Sequence, residues 1–163
     1  MSKYKLIPFD QDSLHDARNK WEAIAGEDAF DLEFSGVFEW AKTHLTQIEG
    51  DSIALNLYNN DALRTDAIVE VVSSRKGQMS KLLKVIPSPM YWDVNNLRAD
   101  IVTLYTEAFF QVLTGQGFDS SRTVKLYGRD DEMMSILRSI HSIWTVPNTK
   151  VEFEGRFLTF TLN

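Results

Sequence analysis

The sequence predicts an α/β (α+β) fold, a mixed and mostly antiparallel central sheet with helices on both faces. Three observations predict it. Apolar residues recur at steps of three and four in four segments, and at steps of two in the segments between them. Three successive strands are joined by short polar turns, which makes them an antiparallel meander. A strand, a long helix and a strand then follow, so the sheet is mixed.

Taken in order, Tyr4–Phe9 (YKLIPF) reads as a first strand. Ser13 and Asp16 have capping-box spacing and open a helix whose stripe is Leu14, Ala17, Trp21 and Ile24, with Gly26 ending it. A second helix is expected from about Phe34 to Ile48, with Phe34, Val37, Phe38, Ala41, Leu45 and Ile48 on one face and Gly50 closing it. Ile53, Leu55 and Leu57 then alternate with Ala54, Asn56 and Tyr58 as a strand. Asn59-Asn60-Asp61 turns the chain into a strand over Ala67–Ser73, and Arg75-Lys76-Gly77-Gln78 turns it into a third over Met79–Ile86. Leu97–Leu113 is the strongest helix, carrying Leu97, Ile101, Leu104, Tyr105, Ala108 and Val112, with Asn95 or Asn96 as its cap and Gly115 and Gly117 as its stop. Thr123–Tyr127 is a strand. Asp130 or Asp131 caps a last helix with Met133, Ile136, Leu137, Ile140 and Trp144, and Pro147 marks its exit. The final VEFEGRFLTFTL reads as a hairpin turning at Glu154-Gly155. The order is β-α-α-β-β-β-α-β-α-β-β, and one domain over 1–163 is expected, since no linker, repeat or low-complexity block divides the chain.

Composition narrows the function. The chain is 44% hydrophobic and 25% charged, as ordinary globular proteins are. A formal net charge of -6 with scattered Lys and Arg argues against nucleic acid as a partner. There is no cysteine, hence no disulfide framework and no thiolate chemistry, which suits a cytoplasmic setting. MSKYKLIPFDQD has no apolar core of a signal peptide, and no apolar run approaches the roughly 20 residues that span a bilayer, so no membrane partner is expected. No G-x-S-x-G elbow accompanies Ser73-Ser74 or Ser120-Ser121, and neither a Walker-type GK[ST] nor a Rossmann G-x-G-x-x-G is present. His15, His44 and His141 share no ligand spacing, so no zinc site is expected.

The element order resembles the GNAT acetyltransferase superfamily over nearly the whole chain. Leu82–Pro87 (LLKVIP) looks like that family's fourth strand, which often ends in Val-x-Pro, and Leu97–Leu113 like the helix after it. Gly117-Phe118 and TVKLYGRDDEMMSIL resemble its fifth strand and following helix. The resemblance implies an acyl-CoA N-acyltransferase-like fold, acyl-CoA as the cofactor, and a wedge between the two central parallel strands that takes pantetheine. It also implies a Q/R-x-x-G-x-G/A loop whose main-chain N–H groups grip the pyrophosphate. This chain has SPMYWDVNNLRA there, with no glycine between Gly77 and Gly115, and Pro89 lacks an N–H; only Arg98-Ala99 matches the motif's end. The usual phosphate cradle is therefore not expected. Where the family often places a tyrosine acid in the last helix, Arg138 or Ile140 falls, with His141 close by and Tyr127 at the end of the preceding strand.

The candidate proton-transfer residues are thus Tyr127 and His141, although His141 reads first as a structural or solvated residue beside an apolar stripe. Ser88, Met90, Tyr91, Trp92, Asn95, Asn96 and Arg98 are the candidate lining of a groove or cofactor site at the strand end. The plainer reading is that those aromatics cover the core. Glu70 and Glu107 are candidate bases if buried, and solvent-facing residues otherwise. Glu27, Asp28, Asp31 and Glu33 are expected in a loop that borders the family's acceptor site. Three functions follow: a divergent GNAT-like domain that binds a protein or small ligand without ordinary acetyl-CoA catalysis, an atypical acyl-CoA-dependent N-acyltransferase, or a protein-interaction module. A homodimer is compatible with each.

Overall fold

The described residues form one mixed sheet of seven strands, which, numbered in chain order, lie side by side as β1-β2-β3-β4-β5-β7-β6. The computed structural model describes residues 2–45, 52–73, 79–92, 97–114 and 122–163. The strands are β1 (Tyr4–Pro8), β2 (Ile53–Asn59), β3 (Arg64–Ser73), β4 (Met79–Pro87), β5 (Thr123–Tyr127), β6 (Thr149–Glu154) and β7 (Phe157–Leu162). The helices are α1 (Gln11–Ala25), α2 (Glu27–Glu33), α3 (Ser35–Thr43), α4 (Leu97–Thr114) and α5 (Asp131–Ile143), with a 3-10 turn at Pro89–Tyr91.

The N-terminal helices depart from the sequence-based expectation in three ways. α1 begins before Ser13 because the reciprocal box is Asp10/Ser13: the Asp10 side chain accepts from the Ser13 N–H at 2.7 Å, and Ser13 Oγ accepts from the Asp10 N–H at 3.0 Å. Two boxes overlapped in sequence, and the earlier one adds a turn of helix. The acidic segment 27–33 is the helix α2, not a loop, because Phe30 gives it a buried side chain and Glu27 and Asp28 sit favourably at its positive end. The expected second helix keeps its start but is preceded by α2 and ends earlier. Phe34 both ends α2 and precedes α3, at φ -122° and ψ -21°, and α3 stops at Thr43. The tail of that expected helix, 46–48, lies outside the described residues.

α1, α2 and α3 cover one face of β2–β4. Trp21 meets Phe34 and Phe38 edge-on at 5.2 and 5.3 Å, and its Nε1–H donates to the Thr65 carbonyl at 3.1 Å. Ala54 and Ile68 are the sheet's contribution to this core. α4 and α5 cover the other face, burying Leu55, Val69, Leu82, Val124, Leu126 and Phe160 among others. Each fully buried side chain of this size contributes about 1.5–3 kcal/mol.

Register decides where the site lies. β4 and β5 are parallel and pair only at Met79↔Thr123, Ser80↔Val124 and Lys81↔Lys125. Beyond them β4 stays with β3 to Pro87, and β5 stays with β7 to Tyr127. The sheet therefore forks. The last helix is capped by Asp130, whose side chain accepts from the Met133 N–H at 2.8 Å, and the final hairpin turns at Gly155-Arg156 after Glu154, both as the sequence predicts.

Candidate functional site

The fork between β4 and β5 opens on the α1–α3 side of the sheet, beyond the strands that those helices cover. Period-2 alternation puts Val124 and Leu126 into the α4–α5 core, so Lys125 and Tyr127 point the other way. Ser80 and Leu82 are buried likewise, and Lys81 faces outward. A bulge carries Leu83 past its partner strand, since Val71 opposes Leu82 and Glu70 opposes Lys84, and leaves it 45% exposed. The result is a cavity of about 140 Å³ whose outer walls are Lys81, Leu83, Lys125, Tyr127, Arg129 and Phe157.

Its geometry is fixed from β7. The Tyr127 and Phe157 rings lie 5.1 Å apart, and the ammonium groups of Lys81 and Lys125 sit 5.8 and 6.0 Å from the Phe157 centroid. Lys125 Nζ also bonds Glu154 at 2.6 Å, which holds the Glu154 carboxyl below its usual range. The turn between Tyr127 and Arg129 is locked to the hairpin: the Gly128 N–H donates to the Arg156 carbonyl at 2.8 Å, and Arg156 Nε donates back to the Gly128 carbonyl at 2.6 Å. A Cβ at Gly128 would run into Met134 Sδ, so any side chain there requires Met134 to move.

On the core side the gap holds Tyr105. Burial pushes its hydroxyl pKa up, while the Val85 N–H and the Arg129 charge act against that rise.

The strand end at Ser88–Trp92 is a different structure. Its centre is Asp66, fully buried on β3. Asp66 Oδ2 accepts from Asn59 Nδ2 at 2.7 Å, from the Tyr91 hydroxyl at 2.7 Å and from the Tyr4 hydroxyl at 3.2 Å; Oδ1 accepts from Arg64 Nε at 2.6 Å. Burial raises the pKa of both tyrosines, most strongly that of Tyr4, and the adjoining Asp66 carboxylate adds to the rise. Burial opposes the Arg64 charge, but its Asp66 partner raises the guanidinium pKa on balance.

This anchor organises the main chain after β4. The Ser88 N–H donates to the Asp66 carbonyl at 2.9 Å, Met90 to Ser88 Oγ at 3.3 Å, Tyr91 to the Ser88 carbonyl at 3.0 Å and Trp92 to the Pro89 carbonyl at 3.2 Å. Pro89 has no N–H. Every main-chain donor from 88 to 92 is thus already occupied within the protein.

Of the sequence-predicted residues, Tyr127 lines the fork. His141 does not: it lies ten residues along α5 from Asp131, about 15 Å at 1.5 Å per residue, exposed and 5.5 Å from the Phe153 ring. The two are not brought together. Ser88 is a buried cap of the 3-10 turn and touches a cavity of about 210 Å³ beside Trp21, Ile24 and Arg64. Tyr91 is half-buried on Asp66, Trp92 stacks on Phe34 at 5.4 Å, and Met90 is exposed. Asn95 and Asn96 lie outside the described residues, as does the side chain of Arg98. Glu70 is half-buried opposite Lys84, and Glu107 has a pKa raised by burial against the pull of Lys3. His15 lines an open groove of about 480 Å³ between α1 and α3 with Arg18, Phe38 and Lys42. Among the described residues no three His, Asp or Glu side chains converge as a metal site, and no helix is long and apolar enough to cross a membrane.

Lys81, Arg129 and Asp66 went unselected in the sequence. The signal for Lys81 and for Lys125 was there: a lysine alternates with core residues in Ser80-Lys81-Leu82 and in Val124-Lys125-Leu126. Asp66 sits just before the segment read as a strand, where an acidic residue passes for a turn.

No family model and no curated protein matches the chain. Solved structures do match. A spermidine N-acetyltransferase SpeG chimera from Vibrio cholerae and hSSAT is similar at 13% identity, over 98% of this chain and 93% of that one, with a TM-score of 0.52. An aminoglycoside 6'-acetyltransferase type Ii is similar at 9% identity, over 97% of each chain, with a TM-score of 0.50. The fold of this chain is that of the GNAT acetyltransferases.

Proposed function

We propose that this chain is a GNAT-fold domain that works by binding a ligand at the β4–β5 fork, without ordinary acetyl-CoA transfer. The observation that carries the reading is the state of the main chain after β4. A pyrophosphate grip needs free N–H groups converging on one point. From 88 to 92 those groups bond within the protein, one is missing at Pro89, and Tyr91 and Trp92 are pinned to Asp66 and Phe34. Residues 88–92 therefore offer a coenzyme diphosphate no free main-chain donor. The fork itself stays open, so the ligand site is displaced along the strands from the loop to the wedge.

Thermal denaturation with CoA and with acetyl-CoA tests this. A ligand at a hundredfold its Kd adds about 2.7 kcal/mol, or roughly 5–10 °C for a protein of this size. No shift is expected at millimolar coenzyme, and a saturable shift would sink the proposal. One observation favours an atypical acyltransferase as the second reading: Tyr127 places a phenol at the fork mouth, beside Lys125 and Arg129. That reading requires the thermal shift, together with loss of transfer activity in Tyr127→Phe.

A further inference from the structure

The fork mouth carries a charge opposite to that of the chain. The formal net charge is -6, yet Lys81, Lys125 and Arg129 all line this one cavity. Glu154 pairs with Lys125 at 2.6 Å. Among the described residues no carboxylate stands within ion-pair distance of Lys81 or Arg129. Lys81 instead lies over the Phe157 ring, whose face steadies an ammonium without cancelling its charge. Between the cations the walls are apolar, formed by Leu83, Tyr127 and Phe157.

We infer that the fork takes an amphiphilic anion, a carboxylate or phosphate head on a small apolar or aromatic body. The head meets Lys81 and Arg129, and the body lies against Leu83, Tyr127 and Phe157. A guanidinium offers a planar pair of donors that matches both head groups. Charges of one sign in a cleft with apolar walls attract the opposite sign more strongly than they do on an open surface. An amine entering the same fork meets like charge. The inference rests on the reading that the fork is the ligand site.

The test is a titration of the full chain with benzoate, with phenyl phosphate and with benzylamine, followed by amide NMR. Benzoate and phenyl phosphate are expected to shift resonances of 81–83 and 125–129 and to saturate in the millimolar range, with benzylamine leaving them unmoved. The preference between the two anions separates a carboxylate ligand from a phosphoryl one. Lys81→Gln and Arg129→Gln each weaken anion binding on the order of tenfold. Lys125→Gln weakens it less, because Glu154 already neutralises that charge. Lys81 and Arg129 are exposed, so both variants fold. Benzylamine binding as well as benzoate, anion affinity unchanged in both variants, or no saturable shift with either anion overturns the inference. If anions fail and coenzyme also gives no thermal shift, only this inference falls. If anions bind the fork and coenzyme does stabilise the chain, this inference stands and the absence of a coenzyme grip is what falls.

Discussion

Replacing Asp66 with alanine removes the one acceptor on which four donors converge. The side chains left behind are Tyr4, Asn59, Arg64 and Tyr91, which now bond Asp66 at 2.6–3.2 Å. A single bond to a charged group is worth about 1.5–3 kcal/mol. The four do not add, because Arg64 and Tyr91 are partly exposed and recover water as a partner. Tyr4 and Asn59 are buried and do not. Removing one member of a buried charged network costs about 3–5 kcal/mol, and this site belongs in that range. The measurement is urea denaturation followed by tryptophan fluorescence. With a slope near 2 kcal/mol/M, the midpoint falls by about 2 M and the slope stays the same. Tyr91→Phe alone costs about 1 kcal/mol, and much of that cost vanishes when Asp66 is already alanine, so a double-mutant cycle reports the coupling. A loss under about 1 kcal/mol for Asp66→Ala, or fully additive variants, would refute the claim that Asp66 anchors the turn.

Tyr4, Tyr91 and Tyr105 all have pKa values raised in the folded chain, chiefly by burial, so folding favours their neutral forms. Their contribution is full below the unfolded value of about 10 and is lost as pH rises above it, at about 1.4 kcal/mol per pH unit for each tyrosine. Unfolding free energies from urea titrations should hold steady up to about pH 9 and fall from about pH 10 to 11, and Tyr4→Phe should flatten that fall; a stability indifferent to alkali counts against the buried network. Asp10→Ala should cost about 1 kcal/mol by removing the side-chain cap of α1, whereas Asp16→Ala should cost less than half of that. Thermal melts of the two variants check this, and the reverse order would mean that the helix starts at Ser13 after all.

Strand periodicity was legible where one face stays open, as in Thr123–Tyr127, whose burial alternates, and in the period-2 spacing of Ile53, Leu55 and Leu57, although that strand is buried on both faces. The helix ahead of Phe34 was not, because Glu27–Glu33 is strongly acidic and gives the core only Phe30. Of the fork's lining only Tyr127 was singled out in the sequence, at the strand end, and the lack of glycine after Pro87 was plain there too. Asp66 was invisible because two of its partners, Tyr4 and Tyr91, are far off in sequence, and the near ones, Asn59 and Arg64, do not distinguish it from a turn aspartate. The charge of the fork was hidden for a similar reason: Lys81 and Lys125 become neighbours only through the parallel register.

That register has a mechanical side. Among the described residues three pairs stitch a four-stranded half, β1–β4, to a three-stranded half, β5-β7-β6. Past Lys81 and Lys125 the halves are held by helices packed behind the seam rather than by ladder bonds across it. Among the described strands this seam has the fewest paired residues. A guest that wedges into it presses on side-chain packing and not on backbone pairing.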